Sequence, residues 1–96
     1  MVNMDDGAWV EANIGVVTNH LAKEFENFAI AYRGDRPITH TFTVNNGKKS
    51  FKLVIGWPIL ADRNSTPARI DFLLKENVAQ EMRLHGEKGY YWTPAM

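Results

Sequence analysis

The residues best able to do chemistry in this chain are its three histidines and the carboxylates spaced around them. His20 and Glu24 stand four positions apart, as do Glu81 and His85, so on a helix each pair projects from one face. Two such side chains can share a metal ion, but a finished site takes three or four ligands. Unless the pairs converge they read as solvated helix surface, with His85 near a helix C-terminus where a cation is favoured. No metal is expected. His40 differs, because the alternation around it places it among apolar side chains. A buried imidazole needs a hydrogen-bond partner. It can act as a base or pH switch, or be a satisfied core residue, which is the expectation adopted.

Ser50 and Ser65 supply hydroxyls with no nucleophile elbow around them. The sequence has no cysteine, which removes thiol catalysis, thiolate zinc sites and disulfides together. Neither GxxxxGK[ST] nor GxGxxG occurs, and no two carboxylates are set apart for acid–base work. The chain is expected to be non-catalytic and free of cofactors.

The remaining candidates are binding residues. Lys48, Lys49 and Lys52 cluster about one hairpin, with Arg33 and Arg36 upstream. Together they make the case for a nucleic-acid or nucleotide ligand held through phosphates. Tyr90, Tyr91 and Trp92 offer stacking surfaces but are not interleaved with that charge. Lysines near a hairpin tip also discourage unwanted strand pairing. Trp57, Tyr90, Tyr91 and Trp92 lie close to proline or glycine, where large aromatics serve a core rim, a protein interface or an apolar pocket.

Elements must position these side chains. The spacing of Val10, Ile14, Val17, Leu21, Phe25, Phe28 and Tyr32 predicts one amphipathic helix over 6–33, capped by Asp5 or Asp6 and closed by Gly34. Gly15 inside it costs about 1 kcal/mol against alanine, which points to close packing by another backbone. Asn46-Gly47 predicts a two-residue type I′ hairpin loop. Strands over 37–45 and 48–57 follow, with Phe42 opposite Phe51, His40 opposite Leu53, Ile38 opposite Ile55 and Val44 opposite Lys49. Thr39, Thr41, Thr43 and Lys52 share the other face. Pro58 ends the second strand. Thr66 then caps a helix with Pro67 at its first position, Ile70, Leu73, Leu74, Val78 and Met82 as its stripe, and Gly86 as its stop. Tyr90–Trp92 suits a short third strand or a tail over the core.

The order is α-β-β-α with a possible last β, an α+β domain over residues 1–96. A hydrophobic share of 45% and a charged share of 23% belong to a globular chain. No apolar run approaches the ~18 residues of a membrane span, and the N-terminus has no signal-peptide pattern. With no cysteine, a reducing compartment is favoured, so a cytoplasmic location and no membrane partner are expected. Net charge is zero, yet residues 1–30 carry five carboxylates against Lys23, and residues 31–63 carry six cations against Asp35 and Asp62. An acidic helix and a basic hairpin can attract one another within the fold or between copies. A first helix about 28 residues long spans roughly 42 Å, which is long for a domain with a radius of gyration near ~13 Å. Its spare surface predicts a homodimer with that helix in or beside the interface. The expected function is docking to a protein partner, in the manner of small accessory, inhibitor or immunity-type proteins of bacteria and phages. Nucleic-acid or nucleotide binding by the basic hairpin comes second, and a small hydrolase third.

Overall fold

The computed structural model describes residues 6–94. Helix α1 (Asp6–Glu24) leads into strands β1 (Ala29–Asp35), β2 (Thr39–Asn45) and β3 (Ser50–Gly56), each antiparallel to the next. A short helix α2 (Trp57–Ala61), a long helix α3 (Pro67–His85) and a 3-10 turn (Gly86–Lys88) return the chain to β4 (Tyr90–Trp92). β4 pairs parallel with β3, so the sheet order is β1-β2-β3-β4. The expected α+β class stands, with one strand and one short helix added. Among the described residues no helix is long and apolar enough to cross a membrane.

The added strand replaces the last third of the expected first helix. α1 stops at Glu24, and Asn27 takes the left-handed conformation (φ 69°) that often follows a helix end. Phe28 and Tyr32 fit a helical spacing, but Phe28, Ile30 and Tyr32 fit a strand's period of two equally well. Pairing decides between them: all seven residues of β1 stand in register with β2, giving the hairpin the third strand it needs for stability. Gly34 is therefore a strand residue and not a helix cap. At nineteen residues α1 is no longer than α3, so helix length no longer argues for self-association. Gly15 is not closely packed either, since a Cβ there would meet nothing within 4 Å. The expected caps Asp5 and Asp6 lie outside the described side chains.

The hairpin keeps its faces but not its register. Phe42 stands opposite Leu53, His40 opposite Ile55, Val44 opposite Phe51 and Thr43 opposite Lys52. The shift is two residues, so every side chain stays on its expected face. A type I′ loop needs positive φ at both Asn46 and Gly47, and only Gly47 has it (87°). Asn46 instead uses its side chain: Oδ1 accepts from Lys48 N at 2.9 Å and Lys49 N at 2.7 Å, closing a four-residue loop. The new register also replaces Lys49 with Phe51 opposite buried Val44. Ile38 sits in the turn to β2 with its side chain 69% exposed, although its carbonyl still accepts from Trp57 N at 2.9 Å, one step beyond the paired strands.

The core lies between the sheet and the two long helices, with Val17, Leu21, Phe42, Leu53, Ile55, Ile70, Leu74, Val78 and Met82 at its centre. α3 begins as expected, its Thr66 hydroxyl accepting from Arg69 N at 3.2 Å, and ends at Gly86 with φ 59°. Polar Asn13 is buried among these residues. Its amide donates to the carbonyls of Leu60 (2.9 Å) and Ser65 (2.7 Å), fastening α1 to the end of α2 and the loop beyond.

Candidate functional site

Where α1 passes the edge of the sheet, it leaves a cleft of about 520 Å³ lined by Val10, Glu11 and Ile14 of α1, Tyr32 of β1, and Arg36 and Trp57. Part of its wall is an aromatic stack. The Trp57 ring lies 4.1 Å from that of His40 and nearly parallel to it (17°). Tyr32 Oη and His40 Nδ1 share a hydrogen bond of 2.7 Å, and the Tyr32 ring packs 5.1 Å from Phe42. The Arg36 guanidinium stands 5.9 Å from the Trp57 ring centre. Gly34 makes the arrangement possible. It sits opposite His40 in the ladder, and a Cβ there would come within 2.6 Å of Tyr32 Oη and 3.3 Å of the Trp57 ring.

His40 is fully buried, and burial pushes its imidazole down to about 4, with a backbone group of Trp57 working against the shift. His40 Nε2 is buried without a hydrogen-bond partner. The ring is uncharged at neutral pH and closed in by aromatic neighbours. Burial and the charge of Asp35 push the Tyr32 phenol up.

β1 forms one edge of the sheet, and among the described residues no strand lies beyond it. Every residue of β1 but Ile30 is exposed. Its first four residues, Ala29-Ile30-Ala31-Tyr32, carry no charge and no proline, the usual means of blunting an edge. Farther along, Arg33 and Asp35 approach one another at 3.4 Å.

No protein-family model, curated protein or solved structure matches this chain.

The expected binding residues fall in separate places. Trp57 and Arg36 line the cleft, whereas Arg33, next to Tyr32 on β1, belongs to the other face of the sheet. Lys48 and Lys49 lie at the opposite end of the strands and line a different cavity. Lys52 is exposed on β3, its methylenes against Gly89. These cations do not form one continuous face. Tyr90 is half-buried and stacks on His85 (5.3 Å, 24°), Tyr91 is 70% exposed, and Trp92 belongs to the core. His85 Nε2 stands 3.5 Å from Glu81, while His20 is buried and its pKa lowered by burial, with Glu24 opposing. Among the described residues no three His, Asp or Glu side chains gather as metal ligands.

Sequence reasoning missed Tyr32 and Gly34 as site residues because both were counted to the helix. The signal that would have found them is the alternation Phe28, Ile30, Tyr32. Asn13 carried no signal, since a polar residue on a helix reads as solvated unless its partners are known.

Proposed function

We propose that this chain is a non-catalytic docking protein that takes an extended segment of a partner protein as an added strand on β1. The observation that carries this reading is the open, uncharged edge Ala29–Tyr32 beside the cleft against α1. In strand addition, main-chain bonds supply affinity and alternate side chains supply specificity. Here the inward side chains of the added strand meet Val10, Ile14 and Tyr32, with Glu11 and Arg36 as polar contacts. The cleft has the size of known ligand sites, roughly 300–1,000 Å³.

A second copy of the chain meets the same requirements. With Tyr32 opposite the second copy's Tyr32, all seven residues of β1 pair, and Arg33 and Asp35 face alanines. Centring the pair on Arg33 sets like charges opposite and is disfavoured. The homodimer is therefore proposed on the strand edge. An accessory or inhibitor role in the cytoplasm belongs to the same proposal. Nucleic-acid binding is the weaker reading, because the cations stand at both ends of the strands.

Ile30→Pro and Ala31→Pro, made separately, test the reading. Neighbouring N–H groups on an edge strand point in opposite directions, so one of these variants removes an outward donor and spares the ladder with β2. That variant is expected to fold normally yet lose partner capture and self-association. Both variants folding and associating like the parent chain contradicts the proposal.

A further inference from the structure

A second cavity opens at the other end of the strands, and strand docking makes no use of it. Three parts of the chain meet there: the turn from α1 to β1, the loop from β2 to β3, and the end of α3. The space is about 500 Å³. Its floor is aromatic: Phe25, Phe28 and Phe51 have ring centres 5.3 to 6.0 Å apart. Arg83 covers Phe25 at 4.6 Å and is held by its own chain, donating from Nη2 to the Glu24 carbonyl at 2.7 Å and lying 3.9 Å from the Glu24 carboxylate.

Once Arg83 and Glu24 are paired, four charges remain around the cavity. Lys48 and Lys49 stand on the hairpin loop, Glu26 on the α1–β1 turn and Glu87 on the 3-10 turn. Among the described residues no ion pair engages any of the four. The loop that carries the lysines is fixed by the Asn46 side chain. Two cations and two anions, all on exposed residues, thus surround one aromatic floor. An apolar ligand leaves all four charges unused. A carboxylate alone gains the lysines but is repelled by Glu26 and Glu87, and an ammonium alone has the reverse problem.

We propose that this cavity binds a small aromatic zwitterion of the free amino-acid type. Its ring rests on Phe28 and Phe51, its carboxylate turns to Lys48 and Lys49, and its ammonium turns to Glu26 and Glu87. The site is independent of the β1 edge, so either proposal can fail without the other.

Titration of the intact chain with L-phenylalanine, phenylacetate and phenethylamine, followed by amide shifts of Phe28, Lys49 and Glu87, tests the assignment. L-Phenylalanine is expected to bind about fivefold or more tightly than either singly charged analogue, with the advantage shrinking as salt is raised. The double variant K48Q/K49Q should keep its fold and bind L-phenylalanine no better than phenethylamine. Equal affinity for all three compounds, no binding of any, or shifts confined to other surfaces overturns the proposal.

Discussion

Tyr32 reaches diagonally across the β1–β2 ladder to His40, hydroxyl to Nδ1 at 2.7 Å, over the bare Cα of Gly34. This contact fastens the outermost strand to a buried group of the next strand, beside the cleft. Without it both imidazole nitrogens are buried and unpartnered. Gly34 serves this contact by having no side chain in its path.

Tyr32→Phe should therefore cost about 1–3 kcal/mol, the penalty for stranding a buried polar group. Gly34→Ala should cost a similar amount, because the new methyl displaces the Tyr32 hydroxyl. Urea denaturation of both variants and of the double variant checks the link. One bond can be lost only once, so the double variant should cost clearly less than the sum. Full additivity means that Gly34 acts through something else.

His40 also sets a pH dependence. Its folded value is about 4, against an ordinary value near 6.5 in the unfolded chain. Between those values the unfolded state binds the extra proton, so stability rises with pH across the window. The contribution is complete above pH ~6.5 and is lost as pH falls toward about 4, by up to ~3 kcal/mol. His20 shifts in the same direction through burial. Asp71, held below the usual carboxylate range by its hydrogen bond to Lys75, loses its contribution only below pH ~4 and so stands outside this window. Denaturation midpoints between pH 4 and 7 should show this fall, and His40→Leu should flatten it. An unchanged slope in that variant would mean that other groups dominate.

Gly15→Ala should stabilise the chain by about 1 kcal/mol, the helix-propensity difference, because the methyl meets open space. Thermal unfolding reads the change directly. A destabilised variant means that this side of α1 is covered in solution by something outside the fold described here.

How much of this was legible beforehand depends on the kind of signal. α3 was readable to its ends because Thr66, Pro67 and Gly86 are local signals with one structural meaning each. The faces of the hairpin were readable because alternation fixes them whatever the register. The register itself was not, since Asn46 had two ways to make a turn and the choice turned on which residue must oppose buried Val44. β1 was hidden because its aromatics fit two periods, and only pairing with β2 separates them. The site suffered most from that ambiguity. Trp57 and Arg36 were found by composition, but the partners that give them meaning, Tyr32 and Gly34, lay in the misread segment.

The register makes its own prediction. Thr43 faces Lys52, so a Thr43→Glu carboxylate should couple to that ammonium by about 0.2–1 kcal/mol in a double-variant cycle with Lys52→Gln. Coupling to a lysine placed at Ser50 instead would restore the register of a two-residue loop. Phe42→Ala, which empties a fully buried ring site, should cost ~3–5 kcal/mol.

Hydrogen exchange along Ala29–Asp35 tests the docking account most directly, measured in the dilute free chain, in the chain at high concentration and in the complex captured from the source cell. The outward amides of β1 should exchange quickly in the dilute chain and become protected once a second copy or a partner strand is bound. Protection that instead develops around Phe72, Leu84 or Tyr91 while β1 stays open would place the interface elsewhere and contradict the account.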